Sequence, residues 1–180
     1  MKATGIVRRI DDLGRVVIPK EIRRTMRIRE GDPLEIFTDK DGELIFKKYS
    51  PIGELGDYAA QICDSMRRAT DNIAAICDRD AVIAVAGGAR RELLDKPISG
   101  QLGELMEERS IYRRGPGTGA LPVCGSDEKY AVAVAAPILA EGDVLGCVLF
   151  VTEKGASPLG EVEYKLAQAI SSFLGKQMES

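Results

Sequence analysis

The sequence predicts an α+β protein, with a small β-rich segment first and a larger domain of helices on an antiparallel sheet behind it. Three patterns support this prediction. Short runs of β-branched residues alternate with turn residues in the first 50 positions. Two pairs of Val- and Ala-rich runs lie beyond position 70, and amphipathic helical patterns precede, separate and follow them. That order is typical of a central antiparallel sheet with helices packed against it.

The first segment begins with a predicted β-hairpin. Residues 5–10 and 15–18 are β-type runs, and Asp11-Asp12-Leu13-Gly14 between them supplies the Asp and Gly that turns favour. Pro19 suits the first position of a helix, where its missing N–H is not needed. We therefore expect a short helix from Pro19 to about Ile28.

A second hairpin completes this segment, with strands at 34–38 and 43–49 around the turn Lys40-Asp41-Gly42. Its apolar side chains occupy both faces of the strands. A domain of about 50 residues cannot cover two apolar faces alone, and such small domains usually need disulfides, metals or a partner chain. We therefore predict that residues 1–50 fold only as an obligate dimer with interleaved strands.

Residues 51–55 carry the Pro and Gly expected of a linker, and they separate domain 1–50 from a second domain at 56–178. The second domain is predicted to begin with a helix from Glu54 to about Asp71. The elements predicted after it are strands at 73–77 and 81–86, helices at 89–95 and 100–109, strands at 110–113, 131–139 and 144–152, and a helix at 159–178. The first and last helices are both amphipathic, so two copies of this pair would form a four-helix bundle.

The charges are distributed unevenly along the chain. Residues 1–29 contain nine Lys and Arg against three Asp and Glu, a balance of +6. Residues 51–180 contain 13 basic and 19 acidic side chains, a balance of -6. A basic end on an acidic body indicates that a polyanion binds at one end only.

The predicted first helix carries one basic face. At 3.6 residues per turn, its basic residues fall within an arc of about 100 degrees; they are Lys20, Arg23, Arg24 and Arg27. A run of charges is usually a solvated surface, but Arg8, Arg9 and Arg15 on the neighbouring strands add charge of the same sign. Lys and Arg neutralise phosphates, and Arg also bonds bidentately to guanine, which favours nucleic-acid binding.

Residues 1–50 resemble the DNA-binding domain of AbrB-like transition-state regulators. The resemblance rests on Lys2-Ala3-Thr4-Gly5-Ile6-Val7-Arg8, Leu13-Gly14-Arg15-Val16-Val17-Ile18-Pro19, Ile22-Arg23-Arg24, Leu34-Glu35-Ile36 and Lys47-Lys48-Tyr49. It implies a swapped-hairpin β-barrel formed by two chains that binds double-stranded DNA. The DNA-facing residues that it implies are Arg8, Arg15, Arg23 and Arg24, with Lys2, Arg9, Lys20 and Arg27 as supporting phosphate contacts.

The rest of the chain resembles a GAF domain in the order of its elements, and the whole chain resembles sporulation regulators of spore-forming Firmicutes. This resemblance implies activation and repression of late sporulation genes, on the nucleoid of a bacterial cytoplasm, in the forespore. It implies a homotetramer that dimerises through residues 1–50 and joins dimers through helices 54–71 and 159–178. The GAF-like domain is expected either to sense an unidentified small molecule or only to multimerise, as in a DNA-bound architectural protein.

Enzyme, metal and membrane functions are not expected. The chain contains no histidine, the usual general base and commonest metal ligand. The four cysteines are Cys63, Cys77, Cys124 and Cys147; they form no C-x-x-C pair, which favours free thiols. A GAF-type thiol reductase would need an accessible thiol, and only Cys124 is predicted to lie in a loop. No apolar run reaches the length of about 20 residues that spans a bilayer.

Two glycine-rich segments have the composition of anion-binding loops. Residues 115–120 lack the Lys and Ser/Thr of a P-loop and the spacing of a dinucleotide-binding loop, so a flexible loop at the mouth of a GAF pocket is the better interpretation. Residues 86–89 could expose backbone N–H groups to an anion, but a tight turn is the commoner structure.

Overall fold

The computed structural model describes residues 5–52, 56–125 and 129–179, and the chain divides into two compact units, Met1–Tyr49 and Ser50–Ser180. The first unit contains helix α1 (Lys20–Thr25) and strands β1 (Leu34–Thr38) and β2 (Leu44–Lys48). The two strands pair antiparallel, with Ile36 opposite Phe46, as the second predicted hairpin requires.

The first predicted hairpin is wrong for a single chain. Over the described residues 5–18, only the turn forms, and neither 5–10 nor 15–18 is a strand. Asp11 N–H donates to the Arg15 carbonyl (3.0 Å) and Gly14 N–H to the Asp11 carbonyl (3.0 Å). A strand needs a partner ladder, and residues 5–18 have none among the described residues of their own chain. The closed barrel that the resemblance implies is likewise not formed by one chain.

The second unit contains five strands and four helices in its described part. In chain order they are α2 (Gly56–Thr70), β3 (Ile73–Asp78), β4 (Val82–Ala86), α3 (Arg90–Leu93), α4 (Gly100–Glu107), β5 (Tyr112–Arg113), β6 (Tyr130–Ala140), β7 (Asp143–Glu153) and α5 (Glu161–Met178). The predicted elements are all present, with ends that differ by at most two residues. The predicted start of α2 at Glu54 lies outside the described residues.

The five strands form one antiparallel sheet in the order β4-β3-β7-β6-β5. Strands β6 and β7 form the long central hairpin, and β3 lies beside β7 with Ala75 opposite Leu149. Successive side chains point to opposite faces of a strand, so runs that are apolar throughout are buried on both faces. The sheet therefore has a core on each side.

Helices α2 and α5 cover one face of the sheet, and their buried side chains include Met66 and Leu174, which pack with Phe150. On the other face, Leu93 of α3 and Leu102 of α4 pack with Leu149. Helix α5 approaches β6 so closely that a Cβ on Gly175 would collide with the carbonyl of Leu139. Two layers of helices thus enclose the sheet.

The second unit begins immediately after Tyr49. Ser50 Oγ donates to Asp78 Oδ2 (3.0 Å) at the turn between β3 and β4. Ile52, which the sequence assigned to a linker, is 1% exposed and packs in the α2/α5 core. Among the described helices, none is both long and apolar enough to cross a bilayer.

Candidate nucleic-acid interface

A tight turn at residues 11–14 organises the first part of the basic surface. Asp11 Oδ1 accepts from the N–H groups of Leu13 (3.0 Å) and Arg15 (2.7 Å). Asp11 Oδ2 accepts from Arg15 Nε (2.9 Å), although both side chains face solvent. Hydrogen bonds from Arg15 lower the pKa of the Asp11 carboxyl, because they stabilise its charged form. Asp11 therefore stabilises the turn that the sequence predicts, and it also orients Arg15, which sequence analysis did not predict.

Arg8 and Arg9 precede this turn and are exposed. Helix α1 then presents Lys20, Arg23 and Arg24, all exposed, on a helix without buried residues. In the described part of the chain, no ion pair involves any of these five residues, and Arg15 is paired only with Asp11. Unpaired cations on a solvent-exposed surface can neutralise phosphates without first breaking a contact.

The placement of Arg27 corrects the predicted helix. Helix α1 ends at Thr25, and Arg27 has a left-handed φ of 53°. Ile28 N–H donates to the Arg23 carbonyl (2.8 Å), and Arg27 N–H donates to the Arg24 carbonyl (3.3 Å). These two bonds form a Schellman motif, which ends a helix but usually has Gly at the left-handed position. Arg27 is exposed but is not part of the helical arc of Lys20, Arg23 and Arg24.

Lys47 and Lys48 belong to the internal structure of this unit. Lys48 Nζ lies 3.3 Å from Asp32 Oδ2 and donates to the Arg27 carbonyl at 3.0 Å. Lys47 Nζ lies 4.7 Å from the centre of the Phe37 ring. Lys2, the remaining residue of the predicted site, lies outside the described residues.

The segment that carries the arginines also exposes apolar side chains. Val7 is 89% exposed and Val17 is 71% exposed, and Ile10 and Leu13 are exposed too. Such a concentration of exposed apolar residues is typical of an interaction surface. The basic residues and the uncovered apolar residues therefore share one short stretch of the chain.

The second unit does not provide an accessible thiol. All four cysteines are buried. Cys124 lies between β5 and β6, outside the described strands and helices, as predicted, but an isolated bridge pairs it with Ile98 and it is not accessible. Burial raises the pKa of Cys63 to about 12 and also raises the pKa values of Cys77 and Cys147. Thiols in this state are poor nucleophiles. No cluster of metal-ligating side chains occurs within the described ranges.

The two glycine-rich segments differ in structure. Gly87 lies in a tight turn, where an added Cβ would meet Ile73 Cγ1 at 3.1 Å, and the four-residue helix α3 follows. Residues 116–120 are exposed, and Thr118 N–H closes a turn on the Gly115 carbonyl (3.3 Å). The first segment is thus the predicted turn, and the second is a loop that follows β5.

Two family models match this chain. Residues 54–179 match the model described as stage V sporulation protein T C-terminal, transcription factor. Residues 7–54 match the model described as antidote-toxin recognition MazE, bacterial antitoxin. Together the matches span both structural units.

The chain is similar to named proteins over its whole length and over its first unit. Stage V sporulation protein T of Bacillus subtilis (strain 168) is 51% identical over 179 residues, which are 99% of each chain. The transition state regulatory protein AbrB of the same organism is 63% identical over 51 residues, 28% of this chain and 52% of AbrB. The crystal structure of the GAF domain/HD domain protein from Geobacter sulfurreducens shares the fold of the second unit, with 15% identity, a TM-score of 0.53, and coverage of 74% of this chain and 99% of that one.

Proposed function

The chain belongs to the stage V sporulation protein T family of transcription factors, and from this premise we propose that it is a sequence-specific DNA-binding regulator of late sporulation genes. It acts in the bacterial cytoplasm on the nucleoid, in the forespore, by activation and by repression. The observation that carries the proposal is the exposed arginine surface of residues 8–27, whose only described acidic partner is Asp11. The family relation and the basic surface support the same function.

The proposed DNA-binding residues have two roles. Arg8, Arg15, Arg23 and Arg24 contact DNA directly, with the capacity for bidentate bonds to guanine in the major groove. The supporting phosphate contacts come from Lys2, Arg9, Lys20 and Arg27. Phosphate contacts fix the register of a protein on the duplex, whereas base contacts specify the sequence.

The DNA-binding form is a dimer through residues 1–50. The exposed apolar side chains of residues 6–17 support this, because strands that interleave with those of a second copy would bury them. A second copy also doubles the number of arginines on one surface. Residues 51–55 are the proposed linker, of which Ile52 packs in the core of the second unit, and residues 56–178 are the proposed regulatory domain.

Two such dimers join through α2 and α5. A groove of about 380 Å³ runs between these helices, with Tyr58 and Ile62 on one side and Leu166, Ile170 and Phe173 on the other. Tyr58 and Phe173 are among the exposed large side chains. The same helices of another copy would fill the groove and give a four-helix bundle and a tetramer.

A second candidate is an architectural protein whose GAF-like domain multimerises and senses no small molecule. The observation that favours it is the dense core between the sheet and helices α3 and α4, where Leu93, Leu102 and Leu149 are fully buried. A GAF ligand would compete with these side chains for space. Thermal-shift measurements with nucleotides and amino acids separate the candidates, because only a sensor is stabilised.

The experiment that tests DNA binding is the salt dependence of affinity for promoter DNA. The logarithm of the binding constant falls by about 0.9 for each phosphate contacted per unit of log salt concentration. Replacing both Arg23 and Arg24 with Ala should lower this slope by about 1.8 for each chain that contacts DNA, if each arginine contacts one phosphate.

The matched control is Arg67→Ala with Arg68→Ala. These two adjacent arginines lie exposed in the last turn of α2, outside the proposed interface. The control variant should keep the wild-type slope. An unchanged slope and affinity in the Arg23/Arg24 variant would remove these residues from the interface.

A further inference from the structure

Arg114 is a buried cation that none of the functions above uses. It follows β5 and is only 5% exposed. Its backbone N–H donates to the Ala133 carbonyl on β6 (2.9 Å), and its Nη2 donates to the Ala156 carbonyl beyond β7 (2.5 Å). Across the described ranges, no carboxylate pairs with its guanidinium.

Arg113, the residue before Arg114, has an anionic partner. Arg113 Nη1 lies 2.8 Å from Glu161 Oε2, and its guanidinium carbon lies 5.4 Å from the centre of the Tyr164 ring. Arg113 is therefore the more exposed of two adjacent arginines and yet the one with an anionic partner. A guanidinium stays charged at any physiological pH, so burying it without an anion costs free energy that pairing would recover.

Further donors follow Arg114 directly in the chain. Residues 115–120 form the glycine-rich loop, and in the described structure its only backbone N–H with a protein acceptor is that of Thr118. Residues 116–120 are exposed, and a Cβ added at Gly117 would meet no atom within 4 Å. Backbone N–H groups of glycine-rich turns are common ligands for anions because no side chain blocks their approach.

We propose that Arg114 and the loop at residues 115–120 form a binding site for the carboxylate or phosphate group of a small metabolite. The oxyanion accepts hydrogen bonds from the Arg114 guanidinium, which has five N–H donors and a protein acceptor for one of them. Loop N–H groups complete its coordination. This site lies at the end of β5 and does not require space in the core between the sheet and α4. This inference rests on the proposed small-molecule sensing by the GAF-like domain, and it names the chemical class of the molecule that the domain would bind.

The test measures thermal unfolding of the full chain in sodium phosphate and in sodium pyruvate, against sodium chloride at the same ionic strength. Phosphate also stabilises proteins generally by exclusion from their surface, so the readout is the difference between variants. At ten times its dissociation constant, either anion should raise the midpoint by about 3 °C or more in the wild type relative to Arg114→Met. Arg113→Met, the matched control, should respond like the wild type.

Two outcomes overturn the proposal: no excess response of the wild type to either anion, or an equal response in Arg114→Met. A response to pyruvate alone or to phosphate alone supports it and identifies the group. If Arg114→Met does not fold, the Nε–Hε resonance of Arg114, identified by its loss in Arg114→Lys, should shift when the anion is added to the wild type. An unmoved resonance would also overturn the proposal. No DNA is present in these measurements, so their failure leaves the DNA-binding proposal standing.

Discussion

The two units of this protein differ in how far they bury their own apolar side chains. In the second unit, both faces of a five-stranded sheet are covered by helices of the same chain, and residues such as Phe150 and Leu149 are fully buried. In the first unit, Val7 and Val17 are exposed, and residues 5–18 have no strand partner among the described residues of the chain. The second unit covers its own sheet, whereas in the dimer proposed above a second chain would cover the apolar side chains of the first.

The proposed DNA-binding residues lie in the unit whose apolar side chains are less well covered. The arginines occupy the same stretch as the exposed apolar residues, so formation of the proposed dimer would both bury the apolar surface and bring two sets of cations together. In the same proposal the second unit joins dimers and binds an effector.

Truncating a core side chain at the centre of the second unit should strongly lower its stability. Phe150→Ala leaves a cavity in the α2/α5 core and should lower the free energy of unfolding of this unit by about 3–5 kcal/mol. Urea unfolding of the full chain measures it. Phe37→Ala, in the first unit, is the control and should leave that transition unchanged. A loss below about 1 kcal/mol for Phe150→Ala would show that the site collapses around the cavity.

A charge at Val17 should weaken the proposed dimer of residues 1–50. Val17 is exposed in a single chain, so Val17→Asp should not change the stability of that chain. In an interleaved dimer, however, the new carboxylate would be buried without a partner. We expect the dissociation constant of this dimer to rise about 100-fold or more. Sedimentation equilibrium should then show dimers held only by α2 and α5. Lys40→Asp, in an exposed turn, should keep the tetramer; a tetrameric Val17→Asp protein would contradict the interleaved pairing.

A charge in the groove between α2 and α5 should weaken the association between dimers and leave the dimer of residues 1–50 intact. Phe173→Asp places a carboxylate beside Tyr58, Ile62 and Leu166. We expect the tetramer to separate into dimers held by residues 1–50, with association between dimers weakened about tenfold or more. Affinity for a single DNA site should change little. Combining Phe173→Asp with Val17→Asp should give monomers, and a stable dimer in the double variant would reveal an interface that neither substitution touches.

The turn at Asp11 should change locally when the pH is lowered. The pKa of Asp11 is lowered in the folded chain, so its contribution to the turn is present above the ordinary value of 3.8 and is lost as pH falls through the lowered pKa. The Arg15 amide resonance should therefore shift below about pH 4. Asp11→Asn should abolish this shift, and Asp12→Asn, its exposed neighbour, should keep it. A shift centred above pH 4 would contradict the hydrogen bonding described for Asp11.

Sequence patterns predicted the second unit well, because its periodicities reflect burial within one chain. The continuous apolar runs of β6 and β7, for example, predict strands that are buried on both faces, and helices of this chain cover both faces of the sheet. The same method assigned strands to residues 5–10 and 15–18, which form no strand in the described chain and whose apolar side chains are exposed. An apolar pattern predicts that side chains are buried, but it does not show whether their own chain or another one covers them.

The details of the candidate site were less accessible from sequence. The end of α1 was misplaced because Arg27 adopts the left-handed conformation that sequence analysis expects of glycine. Cys124 lies in a connecting segment, as predicted, but its burial could not be predicted because a single bridge to Ile98 has no periodic pattern. Arg114 could not be distinguished from Arg113, since the sequence does not show which of two adjacent arginines finds a carboxylate.

Residues 5–18 have no strand partner among the described residues of their own chain, and in the proposed interleaved dimer this has a consequence for folding. The second unit of a new chain could fold at once, but the first would fold only after an encounter with another chain, so this step would be second order in chain concentration. Once formed, an interleaved dimer can exchange subunits only after its strands separate. Two similar regulators synthesised at different times would therefore remain in separate dimers, and the time of synthesis would determine which chains pair.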